Sequence, residues 1–148
     1  YNSMDVKLLS SLGFSEKDVA AVQAVSGVKQ VYAGKFVDCL TLCHDNFLTR
    51  VFSLPQHPDS PETMNRLRVL EGRLPEAADE CAIDQNVTDK YGFRVGQTLT
   101  LSPADPLDDL ENDLENTVYT IVGMVNSPMY VDMTRRGSTT VGDGSLDA

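Results

Sequence analysis

The sequence contains no tryptophan, only two histidines and only three cysteines in 148 residues. So few histidines and cysteines leave little material for a transition-metal site, which needs clustered nitrogen and sulfur ligands. The chain also lacks the C-x-x-C motif, the G-x-S-x-G motif of many hydrolases and the P-loop of nucleotide-binding proteins. We therefore expect a protein that is not an enzyme, with no catalytic residues, no cofactor and no metal site.

Positive charge is scarce as well, because 12 Lys and Arg stand against 22 Asp and Glu, a net charge of −10. This balance argues against binding nucleic acid or an anionic membrane surface through long-range electrostatics. The chain has one basic pair, Arg135 and Arg136, which could contact a partner. Residues 142–144 read Gly-Asp-Gly but lack the lysine and the strand-to-helix context of a phosphate-binding loop.

Long apolar runs are also missing, and no stretch approaches the roughly 20 apolar residues that a membrane span needs. No signal-peptide pattern opens the chain. The chain begins at Tyr1 rather than Met and stops at Gly-Ser-Leu-Asp-Ala, so we interpret residues 1–148 as a fragment of a longer protein. That length suits one domain or two small subdomains, with a possible division into residues 1–66 and 67–148.

The three cysteines are predicted to be small buried side chains. Cys39 and Cys43 lie four residues apart on one predicted strand, which separates their Cα atoms by about 13 Å. A disulfide needs Cα atoms within about 7 Å, so these two should not pair. Pairing of Cys81 with either one stays open. Cys43 and His44 resemble a catalytic dyad, but neighbours on a strand point to opposite faces and could not share a proton.

The N-terminal part predicts a βαβ unit. Residues 6–9 form a brief apolar strand, and the helix that follows has Ser15 as N-cap with Asp18 three residues later, a relative of the capping box. Val19 begins an apolar stripe at spacing three, Gly27 ends the helix, and residues 28–32 begin the next strand. If the two strands are parallel, the crossover between them should be right-handed.

A hairpin follows, with strands over residues 36–43 and 47–54 and a polar turn at 44–46. Three prolines then interrupt regular structure and predict a surface loop. Residues 64–70 are predicted as a short helix or as a strand from Leu67.

Residues 71–101 contain the most closely spaced turn and helix-cap residues of the chain. This stretch predicts a turn, a short strand over residues 81–83, and then a helix capped by Asp84 and ended by Gly92. A second turn around Gly96 leads to a strand over residues 98–101. The residues in this stretch serve as caps, turns and strand ends, so we interpret it as scaffold.

An acidic segment separates that stretch from the strongest predicted strand, at residues 117–126, which should pair with residues 98–101. The segment carries six acidic residues from Asp105 through Glu115. Carboxylate oxygens suit Ca²⁺, but their spacing lacks the order of an EF-hand loop, and the sequence favours a solvated acidic loop. From residue 129 onward the chain becomes polar and rich in glycine, and looser structure is expected there.

Several segments together resemble the extracytoplasmic, MacB-like domain of FtsX-like or MacB-like permeases of ABC transporters. Two early segments carry the likeness, LSSLGFSEKDV at 9–19 and GVKQV at 27–31. Three more lie in the middle, LEGRxP at 70–75, DExxxDxN at 79–86 and YGFxVGxTLTL at 91–101. The last two are YTIVGMVNSP at 119–128 and RGSTTVGDG at 136–144. Their order and spacing carry the resemblance, since each motif alone consists of turn glycines, prolines and strand ends.

This resemblance implies a non-catalytic domain on the extracytoplasmic side of the cell membrane. Its partners would be the rest of the permease, a second permease subunit, a separate cytoplasmic ATPase, and an unidentified substrate or extracytoplasmic partner. An alternative from another class is a secreted or surface-attached binding module, calcium-dependent through residues 105–115. The predicted fold class is α+β: an N-terminal βαβ unit with hairpins, then a strand-rich part with one short helix.

Overall fold

The computed structural model of the chain describes residues 2–106 and 109–129 and confirms the α+β class. Within these described residues, six strands form one sheet, accompanied by two short α-helices and a 3-10 turn. The elements in chain order are α1 Glu16–Gln23, β1 Phe36–Leu42, β2 Phe47–Phe52, β3 Arg68–Gly72, β4 Glu80–Asp84, α2 Gln85–Tyr91, β5 Thr98–Pro103, the 3-10 helix Leu110–Asn112 and β6 Val118–Asn126. The segment from residue 130 onward, with Arg135, Arg136 and residues 142–144, lies outside the described residues.

The sheet is organised around β6, which pairs with three other strands. The strand order is β2-β1-β5-β6-β3, and β4 pairs with β6 beside this path. The β4–β6 pair is parallel and the other four pairs are antiparallel. Because β1 pairs with β5, one sheet includes strands from both sides of the division at residues 66 and 67.

The predicted hairpin is confirmed, with β1 and β2 antiparallel and Phe36 opposite Phe52. In the bend between them, the Asn46 side-chain oxygen accepts a hydrogen bond from the Cys43 amide at 3.0 Å. On one face of the hairpin, Arg50 and Asp38 are register partners joined by hydrogen bonds of 2.6 and 2.7 Å. Such cross-strand pairs hold the register of a hairpin in addition to the backbone ladder.

The predicted βαβ unit is wrong, because neither residues 6–9 nor residues 28–32 form a strand. The helix between them is present, and its capping box is complete: the Asp18 amide donates to Ser15 and the Ser15 amide donates to Asp18. A strand exists only where a neighbour completes its backbone ladder, and local propensity does not supply that neighbour. The Val31 amide instead donates to the Gln23 side chain at 3.0 Å.

Residues 71–101 fold largely as predicted, except that Glu71 and Gly72, expected in a turn, are the last residues of β3. The Asp84 carboxylate accepts the Asn86 amide at 2.9 Å at the start of α2. Gly92 ends α2 in the left-handed conformation at φ 78°. Gly96, at φ 91°, turns the chain into β5. For residues 64–70, the predicted strand from Leu67 is the alternative that is confirmed, since β3 begins at Arg68.

The core lies on one face of the sheet, where the side chains of β4, β5, β6 and α2 meet those of the hairpin. The Phe47 ring stacks on the Tyr91 ring, with centroids 3.6 Å apart, and so packs the hairpin against α2. This stacking adds to the hydrophobic gain from burial of the two rings. The buried members of the cluster are Cys39, Phe47, Ile83, Val87, Leu99, Leu101, Leu110 and Ile121.

Candidate functional site

All three cysteines of the chain are free thiols. Cys39 is fully buried, and burial together with the neighbouring Asp38 charge raises the pKa of its thiol to about 12. Burial also raises the pKa of the Cys81 thiol, to about 11. A thiol attacks as its thiolate, and at neutral pH neither group is in that form. Cys39 and Cys81 therefore act as apolar packing groups.

Cys43 and His44 follow the end of β1 and lie in the bend rather than on the strand itself. The Cys43 thiol is directed to the backbone oxygen of Asp45 at 3.0 Å. A dyad needs the thiol and the imidazole within hydrogen-bond reach of each other. The contact that the structure gives the Cys43 thiol is with Asp45, so nothing in this bend has the arrangement of a nucleophile and its base.

The acidic segment is less solvated than its composition predicts. Leu110, in the 3-10 turn, has only 4% of its surface exposed and belongs to the core, and Leu114 packs beside it. Between these leucines the carboxylates of Glu111 and Asp113 lie on exposed residues. Within residues 2–106 and 109–129, no three His, Cys, Asp or Glu side chains come together as a metal-binding group.

The central segments that carry the resemblance come together around β6. Residues 70–72 belong to β3, residues 79–86 contain β4, and residues 91–101 run from the end of α2 into β5. All three strands pair with β6, which occupies most of the segment 119–128. Motifs scattered over about sixty positions therefore form one contiguous structural unit.

Two glycines set how closely this unit packs. Gly72 and Gly123 are register partners of β3 and β6. A Cβ atom built on Gly123 would lie 2.0 Å from the Arg73 backbone oxygen, and one on Gly72 would lie 2.1 Å from that of Val122. No side chain fits at either position without displacing backbone. The sequence predicted a turn at the start of residues 71–101, where Gly72 lies, and contained no sign of this close approach.

Beside the glycine pair, Arg73 and Glu80 join the ends of β3 and β4. The guanidinium donates two hydrogen bonds to the carboxylate, at 2.5 and 2.7 Å. The same carboxylate accepts the amides of Glu76 and Ala77 at 2.9 and 3.3 Å. The Arg73 hydrogen bond and then the Glu76 amide lower the pKa of Glu80 from its usual 4.5 to about 2. The Arg73–Glu80 pair therefore stabilises the turn between β3 and β4, and the Glu80 carboxylate uses its hydrogen bonds within the protein.

The surface feature best suited to contact is apolar. We define the N-terminal apolar surface as the five large hydrophobic residues in the segment before α1, whose exposed fractions run from 49% to 96%: Val6, Leu8, Leu9, Leu12 and Phe14. The helix that follows contains no buried residue. Single exposed apolar residues are ordinary on a protein surface, and these five are notable because they are close together in the sequence.

Among the residues that the structure describes, no helix has the length and apolar character that crossing a membrane requires. No protein-family model, curated protein or solved structure matches the chain. The permease family therefore stays a prediction from the sequence motifs.

Proposed function

We propose that this chain is a non-catalytic extracytoplasmic domain of an ABC transporter permease. In this role it would engage a substrate or partner outside the membrane, while a separate cytoplasmic ATPase supplies the energy. The observation that carries the proposal is the ordered set of motifs between residues 70 and 128. Their glycines, caps and strand ends resemble those of FtsX-like and MacB-like ectodomains in both order and spacing.

The positions of these motif residues in the fold support the proposal. Gly92 and Gly96 take positive φ, and Gly72 and Gly123 allow the close approach of β3 and β6. Glycine is required at such positions for backbone reasons. The likeness therefore involves residues that dictate a fold rather than residues that share only composition.

The chemistry of the described residues also suits a domain that works by contact. The buried thiols are protonated and the Arg73–Glu80 pair is internally satisfied. The N-terminal apolar surface offers contact area without reactive groups. Contact between protein surfaces depends on buried apolar area and shape, so a domain with these features can bind without catalysing a reaction.

The proposal is tested on the full-length protein that contains this chain. Leu12, at 96% exposure, is replaced by Cys and intact cells are treated with a membrane-impermeant maleimide. We expect the full-length protein to sediment with membranes after an alkaline carbonate wash, and Leu12→Cys to be labelled before lysis. We also expect an ATPase subunit to co-purify with the protein in mild detergent.

The matched control is Leu99→Cys, at a position with 6% exposure, and the wild-type protein supplies the background from its own cysteines. Labelling of Leu12→Cys only after lysis would place the domain on the cytoplasmic side and contradict the proposal. A full-length protein that stays soluble through the carbonate wash would do the same. If it is instead secreted and gains thermal stability with Ca²⁺, the binding-module alternative replaces the permease.

A further inference from the structure

The strand β3 differs from the other strands of the sheet in how little of it is buried. All five of its residues, Arg68–Gly72, are exposed, whereas each of the other five described strands contains at least one buried residue. An antiparallel strand usually buries one of its two faces. Even the apolar residues Val69 and Leu70 keep 39% and 37% of their surface exposed. β3 therefore buries neither face.

One backbone edge of β3 is unpaired within residues 2–106 and 109–129, and we call it the outer edge. On its other side β3 pairs with β6, and none of the other described strands pairs with it. The Arg73 amide, directly after the strand, is also directed toward β6 and donates to the Val122 oxygen at 3.0 Å. The outer edge offers backbone donors and acceptors that a further strand can use.

This edge carries positive charge in a chain that is otherwise acidic. Residues 66–73 contain three arginines and one glutamate, which gives a net charge of +2, while the rest of the chain carries −12. Charges of opposite sign attract across an interface, and like charges disfavour the wrong partner. An acidic segment is therefore attracted at the β3 edge and repelled by most of the remaining surface.

Two of the three arginines have no carboxylate partner among the described residues. Arg66 donates to the Asp59 backbone oxygen at 3.4 Å, and Arg68 is exposed. The ion pairs in the described part of the chain are made by Arg50 and Arg73. Side chains two residues apart in an extended segment point to the same side, and this spacing suits carboxylates at alternate positions of an added strand.

A second copy of β3 fits this edge less well than an acidic segment does. Pairing two identical segments would bring two charges of +2 together, and like charges directly opposite each other destabilise a sheet. The register with β6 also shifts between Val69 and Glu71, and bulges of this kind discourage pairing between identical edges. The charge and the bulge therefore favour a different, acidic chain.

We propose that β3 binds an extended acidic segment of a partner protein by strand addition. The segment adds its backbone to the outer edge of β3, places alternate carboxylates against Arg66 and Arg68, and covers Val69 and Leu70 with apolar side chains. In this mode of recognition, backbone hydrogen bonds supply affinity and side chains supply specificity. The inference goes beyond the permease assignment and does not depend on it, because it uses only residues of this chain.

The test uses the full-length protein and three blocked, fluorescein-labelled probe peptides. The glutamate probe alternates two glutamates with valines, and the lysine probe has lysines in their place. The proline probe keeps the glutamates but has proline at the central valine, which removes a backbone donor. Fluorescence anisotropy gives the affinities. Hydrogen exchange, measured by mass spectrometry on a fragment that covers residues 66–72, reports whether β3 gains backbone hydrogen bonds.

We expect the glutamate probe to bind and to slow hydrogen exchange in residues 66–72. The proline probe should bind about tenfold more weakly, because at least one hydrogen bond of the added strand is lost. The lysine probe, which is attracted to the acidic remainder of the chain, should leave exchange in residues 66–72 unchanged.

Arg68→Glu tests the charge contact, and Lys29→Glu is the matched control, since Lys29 is exposed, lies outside β3 and gives the same change in net charge. Arg68→Glu should weaken the glutamate probe about tenfold and allow the lysine probe to slow exchange in residues 66–72. Lys29→Glu should bind both probes as the wild type does. Arg68→Gln, which only removes the charge, should shift the glutamate probe in the same direction and serves if Arg68→Glu does not fold.

Binding of the glutamate probe without slower exchange in residues 66–72 would overturn the proposal, because the contact would then involve side chains alone. Equal affinities of Arg68→Glu and Lys29→Glu for this probe would overturn it as well, and so would an absence of binding. A dimer that protects residues 66–72 without any probe would show that a second copy occupies the edge instead. None of these outcomes bears on membrane attachment or on the ATPase, so the proposed function fails or stands separately.

Discussion

Gly72 and Gly123 are register partners in the β3–β6 pair: Gly72 leaves room for the Val122 backbone of β6, and Gly123 leaves room for the backbone of Arg73, the residue that follows β3. Because neither residue has a side chain, the backbone at Gly72 and Arg73 lies closer to β6 than it could with any other residue at these two positions. Because the segments that carry the permease resemblance surround this contact, the glycine pair is a determinant of the fold.

Gly123→Ala should therefore destabilise the protein by about 1–3 kcal/mol or more, since the added methyl collides with backbone that cannot move alone. Urea unfolding monitored by circular dichroism measures the change. Gly34→Ala is the comparison variant, because the nearest atoms to its added methyl belong to the Tyr32 side chain, which can shift at the expense of its hydrogen bond to the Ser53 backbone oxygen and without displacing backbone. Equal losses for the two variants would contradict the close-approach argument.

Gly92 and Gly96 make a different prediction, because a Cβ atom at either position would meet nothing within 4 Å. Their positive φ alone disfavours side chains, by roughly 1–2 kcal/mol for an ordinary residue and more for a β-branched one. Gly92→Val should lower the melting temperature and Gly92→Asn should lower it less. Gly96→Val should behave like Gly92→Val. Folding should suffer before binding does, and stable, soluble valine variants at both positions would argue against this.

The Arg73–Glu80 pair predicts a dependence of stability on pH. The pKa of Glu80 is lowered to about 2 in the folded protein from its usual 4.5. Stability from this group is therefore fully present above pH 4.5 and is lost as the pH falls toward 2. Glu80→Gln should flatten the loss of thermal stability in that window. Arg73→Gln should flatten it in part, because the amides of Glu76 and Ala77 remain. Parallel curves for Glu80→Gln and wild type would contradict the assignment.

Cysteine labelling should follow burial. Cys39 has no exposed surface, and burial raises the pKa of its thiol to about 12, so iodoacetamide should modify it only when the protein unfolds. Cys43, partly exposed in the bend, should react first. Mass spectrometry of peptides from native and urea-treated protein gives the order. Modification of Cys39 at the same rate as Cys43 in native protein would show that the core opens readily.

Leu110 should be essential for stability although it lies in the acidic segment. Leu110→Ala should cost about 2–4 kcal/mol, as truncation of a buried leucine usually does. Leu12→Ala, at an exposed position, should change stability by no more than about 0.5 kcal/mol. Chemical unfolding of both variants provides the comparison. A small effect at Leu110 would restore the view of residues 105–115 as a solvated loop.

Much of the local structure could be predicted from the sequence. The capping box at Ser15, the N-cap at Asp84 and the left-handed Gly92 were all expected, because each depends on residues within one helical turn. The hairpin followed from alternation on both sides of a polar turn. The pairing of β5 with β6 followed from two apolar segments joined by one connection.

Other features depend on contacts between distant residues, which no local pattern contains. The N-terminal βαβ unit failed because residues 6–9 and 28–32 have the composition of strands but gain no partner that makes them strands. The hydrogen bonds of Asn65 with Asn2 and Met4 join segments about sixty residues apart, and a lone asparagine after a loop rich in proline gives no signal of them.

The sequence by itself therefore determined the caps, the turns, the hairpin and the α+β class, since these arise from backbone preferences and from apolar periodicity over short stretches. Only the tertiary structure decided that β6 is shared by β3, β4 and β5, that Gly123 must lack a side chain, and that Leu110 is buried. Each of these depends on which surfaces meet in space, and that follows from packing the whole chain rather than from any one segment.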